Sequence, residues 1–217
     1  MLAGSEGPGG ICFDDPGLAQ FLSVTALAFV LFSGGLDTEV AGIRPVLGKG
    51  ALLATVGVLI TALVVGGLVS IAGLGFSLQE GVLMGAIVSS TDAAAVFAIL
   101  RSKGLGLKGK LKPLLELESG SNDPMAIFLT GGMIELVQDP SLSVFSLIPL
   151  FVQQMVLGAV FGYVSGRLLV VLINRLDLAY DGLYPVVTIA AVLFIYGVTG
   201  ALGGSGFLAV YLAGIVA

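Results

Sequence analysis

Long apolar stretches, separated by short polar segments, dominate the pattern along this chain. An α-helix rises ~1.5 Å per residue, so about 20 apolar residues cross the hydrocarbon core of a bilayer. Six stretches come close to that length or exceed it, and a partial seventh begins near Phe207. The six predicted spans are Leu18–Leu36, Ala51–Leu74, Gly81–Leu100, Pro113–Val137, Ser146–Ile173 and Tyr184–Leu202. The pattern predicts an all-α polytopic membrane protein, with residues 1–217 in a single transmembrane domain.

The composition agrees with a membrane protein and narrows the chemistry. Of the 217 residues, 57% are hydrophobic and 11% are charged, whereas a soluble domain has ~25% charged residues. The single cysteine, Cys12, excludes an internal disulfide framework and a Cys-rich metal site. Because the chain has no histidine, proton chemistry must use carboxylates or lysines. We expect no enzymatic activity, no resident cofactor and no nucleic-acid partner; the lipid bilayer is the natural surrounding.

The basic residues all lie on one side of the predicted spans. The loops on the other side contain acidic residues and neither lysine nor arginine. Cytoplasmic loops of membrane proteins carry an excess of Lys and Arg, so the N-terminus is expected outside and the 103–112 loop in the cytoplasm. The basic residues are Arg44, Lys49, Arg101, Lys103, Lys108, Lys110, Lys112, Arg167 and Arg175. The acidic residues of the opposite side are Glu6, Asp14, Asp15, Glu80 and Asp139.

Five carboxylates fall inside the predicted spans, where a charge is costly. Asp92 lies near the middle of the third span, and Glu116, Glu118 and Asp123 lie in the fourth, with Asp123 closest to the midplane. Ionisable groups at this depth usually mark ion paths or proton relays. Asp123 is therefore the leading candidate for a cation or proton site.

Two of these five carboxylates lie nearer the ends of the fourth span. Glu135, at the outer end, is interpreted as a solvated interfacial charge. Glu116 follows Lys112 by four residues, so the two side chains share one helix face. A plain surface ion pair and a role at a cation entrance both stay open for Glu116.

Spacing places further polar groups beside Asp123. Ser119 precedes Asp123 by four residues and so shares its helix face. Pro124 has no N–H, which leaves the carbonyl of Gly120 without its helical partner. Irregular backbone at this depth is tolerated where it lines a cavity or is buried in protein.

The third span contains Ser89-Ser90-Thr91-Asp92, three hydroxyls followed by a carboxylate. Local bonding of Ser and Thr side chains to the backbone competes with a regular helix. A helix broken here would expose carbonyl oxygens, and sites built only of oxygen suit hard cations such as Na⁺ or K⁺.

These residues form a signature that resembles the monovalent cation:proton antiporter superfamily, most closely its bacterial potassium/proton branch related to NhaP. The segments that carry the resemblance extend over essentially the whole chain. They are Ser90-Thr91-Asp92-Ala93-Ala94-Ala95-Val96-Phe97, Glu116-Leu117-Glu118-Ser119-Gly120-Ser121-Asn122-Asp123-Pro124, Leu31–Asp37, Gly182–Pro185 and Gly204–Gly214.

The resemblance implies an inverted-repeat fold with broken, crossed helices in a bacterial inner membrane. It implies that Asp123 binds the cation and the proton in competition. Thr91, through its backbone, and Ser119 would be further ligands of the monovalent cation. Asn122 replaces a second aspartate of electrogenic relatives, which implies electroneutral exchange of K⁺ or Na⁺ for H⁺.

The resemblance also implies supporting residues and missing parts. Asp92 would organise the broken helix, and Glu118 would pair with an arginine on a later helix outside this chain. The chain stops at Ala217 within an apolar run, so we expect it to be a fragment of a longer protein that forms a homodimer.

Two other functions remain open at this point. A sodium-coupled solute symporter on a similar scaffold would need a roomy substrate cavity, whereas the polar groups here are compact. A truncated fragment that transports nothing is the second alternative. An ion channel ranks below both because the sequence has no filter-like repeat of backbone carbonyls.

Overall fold

The computed structural model describes residues 15–139, 141–176, 180 and 182–217. The described residues do not include Glu6, Cys12 or Asp14, whose interpretation comes from the sequence. In the described part of the chain, all regular secondary structure is helical. The principal helices are α1 (Pro16–Leu36), α2 (Val40–Ile71), α3 (Leu78–Ile87), α4 (Ala93–Ser102), α5 (Leu111–Gln138), α6 (Leu147–Arg175), α7 (Leu183–Ala201) and α8 (Gly206–Val216).

Short polar side chains determine where several helices begin. Asp15 accepts a hydrogen bond from the backbone of Leu18 at 3.0 Å and so caps α1. Ser77 and Glu80 form a reciprocal capping box at the start of α3. Ser205 caps α8 by accepting from the backbone of Leu208.

Four helical stretches of the described chain are long and apolar enough to cross a membrane. They are Pro16–Leu36, Val40–Ile71, Val144–Arg175 and Leu183–Ala201. Helix α5 has 28 residues but carries acidic side chains, and α3 and α8 are shorter apolar helices. The third predicted span, Gly81–Leu100, is two helices with a break between them. The number of membrane crossings stays a prediction.

The helices pack into two groups with separate cores. One core joins α1, α6, α7 and α8 around buried residues such as Phe32, Val192 and Tyr211. The other joins α2, α3 and α5 around residues such as Ala62 and Phe128. Many large apolar side chains on the outer faces are exposed, Phe194 at 70% among them, as suits helices that face lipid.

Glycines allow the closest helix crossings. A Cβ added at Gly158, Gly162 or Gly166 of α6 would lie 2.7–2.9 Å from backbone atoms of α8. These glycines recur every fourth residue, a spacing that is typical of closely packed membrane helices. This contact holds α8 in place, and α8 in turn supplies Tyr211 to the site.

Candidate ion-binding site

The break between α3 and α4 brings polar backbone and side chains to the middle of the structure. Residues 88–92 connect the two helices without helical structure of their own. Ser89 is buried and donates its hydroxyl hydrogen to the carbonyl of Ala86 at 2.7 Å. A hydroxyl bonded to the end of α3 in this way favours termination of that helix. The break expected from the three hydroxyls is present.

Asn122 of α5 ties that helix to the break. Its side chain is fully buried, with 0% of its surface exposed. The amide Nδ2 lies 2.7 Å from Thr91 Oγ1, 3.2 Å from the Thr91 carbonyl and 3.1 Å from Glu118 Oε1. The Thr91 hydroxyl also lies 3.0 Å from Glu118 Oε1. These contacts satisfy a buried amide that would otherwise be costly.

Ser119 makes a second bridge from α5 to the break. Its hydroxyl donates to the carbonyl of Thr91 at 3.1 Å and accepts from the backbone N–H of Ala93 at 3.0 Å. Ala93 is the first residue of α4. Ser119 therefore joins α5 to the end of the break and to the start of α4.

Asp123 receives its hydrogen bond from a residue that the sequence argument did not assign. The hydroxyl of Ser90 donates to Asp123 Oδ1 and also lies 3.3 Å from Asn122 Oδ1. The structure thus joins Thr91, Glu118, Ser119 and Asn122 in one network beside Asp123.

A cavity of about 700 Å³ opens onto Asp123. One wall comes from α1, from Asp37 and Thr38 just after it, and from Tyr211 of α8; the other comes from the break and α5. Asp92 lines this cavity together with Asp123.

Two charged side chains of α5 line the cavity. Lys112 and Glu116 form an ion pair at 3.5 Å. The ion pair expected from their spacing is therefore present, whereas a role of Glu116 at a cation entrance stays a prediction.

Helix α5 remains continuous through Pro124, although the sequence suggested irregular backbone there. The ring of Tyr211 packs where Gly120 has no side chain: a Cβ added to Gly120 would lie 2.3 Å from the ring. Tyr211 is 1% exposed. Packing from α8 supports the turn that contains the proline, as neighbouring helices do in membrane proteins.

The model of the family described as sodium/hydrogen exchanger, transmembrane, matches residues 2–217. The chain belongs to this family. This confirms the resemblance seen in the motifs of the third and fourth predicted spans.

Curated members of the exchanger family are similar over most of the chain. The K(+)/H(+) antiporter NhaP of Alkalimonas amylolytica is 42% identical over 214 residues, which are 99% of this chain and 37% of that protein. The K(+)/H(+) antiporter NhaP2 of Shewanella sp. (strain ANA-3) is 46% identical over 219 residues, with the same coverage. The Na(+)/H(+) antiporter NhaP of Pseudomonas aeruginosa is 34% identical over 169 residues, 73% of this chain and 38% of that protein. The chain spans less than two fifths of the length of these relatives.

A solved exchanger structure has the same fold. The sodium proton antiporter MjNhaP1 from Methanocaldococcus jannaschii, at pH 8, matches with a TM-score of 0.69 at 22% identity. The match covers 91% of this chain and 48% of that one. The expected antiporter-like membrane fold is confirmed.

Sequence reasoning missed Ser90 as the partner of Asp123. Its only signal was membership in the run of three hydroxyls, in which Thr91 was preferred because of the family resemblance. Which hydroxyl of an irregular segment points at a given carboxylate depends on backbone angles that residue types do not determine.

Proposed function

We propose that the protein containing this chain is a secondary antiporter that exchanges K⁺ or Na⁺ for H⁺ across a bacterial inner membrane, with Asp123 as the shared site. The observation that carries the proposal is the position of Asp123, on a cavity and beside a broken helix in a chain of the exchanger family. The curated relatives named as K⁺/H⁺ and Na⁺/H⁺ antiporters support the ion classes.

In this mechanism, ionised Asp123 binds the cation and a proton displaces it on the opposite side of the membrane. A carboxylate can hold either species but not both, so binding of one releases the other. The two helix groups have separate cores, and the cavity lies between them. Access to Asp123 from alternate sides of the membrane requires one helix group to move relative to the other.

Further features of the site and of the assembly belong to the same proposal. Asn122 and Ser119 hold the break in register, and the Thr91 carbonyl and Ser119 hydroxyl serve as cation ligands once their mutual hydrogen bond opens. Glu118 pairs with a cationic residue of a later helix, and Asp92 organises the break. Exchange is electroneutral, the chain's N-terminus faces outward, and the protein works as a homodimer.

The experiment uses the full-length protein in proteoliposomes with a trapped pH-sensitive dye. Pulses of K⁺, Na⁺ or Li⁺ should release protons through the wild-type protein, whereas Asp123→Asn should abolish the response. Asp139→Asn is the matched control, because Asp139 lies past the end of α5 and its side chain accepts hydrogen bonds from Ser141. Cation-dependent proton release by Asp123→Asn at the wild-type rate would refute the proposal.

A further inference from the structure

Ser90 contacts the proposed site but has no role in the exchange described above. Its hydroxyl donates to Asp123 Oδ1, lies 3.3 Å from Asn122 Oδ1, and lines the cavity. The hydroxyl oxygen thus lies between the Asp123 carboxylate and the buried Asn122 amide. An ion bound to Asp123 Oδ1 would lie close to this oxygen.

The orientation of the Asn122 amide follows from its other contacts. Nδ2 faces the Thr91 carbonyl and a Glu118 carboxylate oxygen, and an ionised carboxylate and a carbonyl accept hydrogen bonds only. The NH₂ group must therefore point to them, which turns Oδ1 towards Ser90. The Ser90 hydroxyl consequently has two acceptors within reach, one charged and one neutral.

A hydroxyl hydrogen rotates about the C–O bond, and the oxygen carries two lone pairs. With the site free of cation, the hydrogen points to Asp123. A cation on Asp123 repels that hydrogen and attracts a lone pair. We propose that Ser90 is a direct ligand of the transported cation, its hydroxyl hydrogen turning from Asp123 to Asn122 Oδ1 when the cation binds. This inference rests on the proposed function of Asp123.

Two other candidate oxygens of the site take part in the contacts that hold α5 to the break. The Thr91 carbonyl accepts hydrogen bonds from Ser119 and from Asn122, and the Ser119 hydroxyl both donates and accepts. A cation bound to these oxygens would compete with those hydrogen bonds. Ser90 supplies an oxygen by a rotation of one bond, without disturbing those contacts.

Ser90→Ala tests the loss of this ligand in the full-length protein. We expect the apparent KM for K⁺ and Na⁺ to rise about tenfold, as the loss of one contact to a charged group implies, with the maximal rate preserved. Ser90→Thr, which keeps a hydroxyl, should restore the wild-type KM. Ser89→Ala is the matched control, because the neighbouring hydroxyl bonds to the Ala86 carbonyl instead. An unchanged KM in Ser90→Ala, or a KM that rises equally in Ser89→Ala, would overturn the inference.

Ser90→Cys separates a ligand from a residue that only supports the fold. Sulfur ligands favour soft metal ions over hard ones, and Tl⁺ is soft whereas K⁺ is hard. The ratio of the KM for Tl⁺ to the KM for K⁺ should fall at least fivefold in Ser90→Cys and stay constant in Ser89→Cys. An unchanged ratio overturns the inference even if Ser90→Ala fails to fold. If Asp123→Asn does not exchange while Ser90→Ala and Ser90→Cys behave as wild type, only this inference fails. If Asp123→Asn still exchanges, the proposed function fails as well.

Discussion

The side-chain amide nitrogen of Asn122 lies 2.7 Å from Thr91 Oγ1, and this contact joins the middle of α5 to the break between α3 and α4. Asn122 donates from one nitrogen to groups of the break and of its own helix. A buried polar group that is fully bonded specifies one arrangement of the elements it connects. Asn122 is therefore a positioning residue for Asp123, its neighbour in the chain.

Asn122→Ala should destabilise the protein by about 1–3 kcal/mol, because it removes the hydrogen bonds that this fully buried amide makes to Thr91 and Glu118. The measurement is the midpoint of thermal unfolding of the detergent-solubilised protein, followed by circular dichroism. Gln138→Ala is the control, since Gln138 is an exposed side chain at the end of the same helix. Equal melting of Asn122→Ala and wild type would show that the contact does not stabilise the fold.

The neutral side chain of Asn122, next to Asp123, predicts exchange without net charge movement. If one monovalent cation replaces one proton on Asp123, the loaded site carries the same charge in both directions. Proteoliposomes are adsorbed to a solid-supported membrane, and the cation concentration is raised rapidly. Their internal pH should then change, while the transport current should not exceed that of Asp123→Asn. A sustained current that scales with the cation gradient would contradict one-for-one exchange.

The sequence predicted the long helices well because their apolar length is set by the bilayer. Leu36 ends both the first predicted span and α1, and Tyr184 lies one residue inside α7. The shared face of Ser119 and Asp123 was also predictable, since helical spacing alone sets it.

Other features of the site depend on contacts between distant segments. Ser119 was expected as a ligand beside Asp123, but its hydroxyl is engaged with the Thr91 carbonyl and the Ala93 N–H. The packing of Tyr211 on Gly120 requires the crossing of α8 and α5. Neither periodicity nor composition encodes how an irregular segment turns its side chains, so Ser90 could not be singled out.

Asp139, beyond the end of α5, should make a pH-dependent contribution to stability. Its Oδ1 accepts hydrogen bonds from the hydroxyl of Ser141 at 2.6 Å and from the Ser141 backbone at 3.0 Å. These bonds hold the pKa of Asp139 below its usual value, the hydroxyl contributing most. A depressed folded-state pKa gives stability that is present above the unfolded pKa of ~3.9 and is lost as the pH falls through the folded value.

Ser141→Ala should therefore melt at a lower temperature than wild type at about pH 7, and the two melting curves should converge below about pH 4. Asp139→Asn should show the same convergence, because it removes the titrating group itself. Melting temperatures in a buffer series at constant ionic strength provide the measurement. If the melting temperatures of Ser141→Ala and wild type differ as much below about pH 4 as at about pH 7, Ser141 does not bond to the ionised carboxylate of Asp139.

Gly120→Ala tests whether α8 supports the proline-containing turn of α5. The added Cβ would lie 2.3 Å from the ring of Tyr211, a side chain that is 1% exposed. Overpacking of this kind costs about 1–3 kcal/mol, so the melting temperature and the exchange rate should both fall. Gly131→Ala on the same helix is the control, because its Cβ would meet nothing within 4 Å in the described part of the chain. Tyr211→Leu combined with Gly120→Ala should recover part of the stability, since the smaller side chain makes room for the methyl group. If Gly120→Ala melts like Gly131→Ala, then the tyrosine ring does not constrain the turn that carries Asp123.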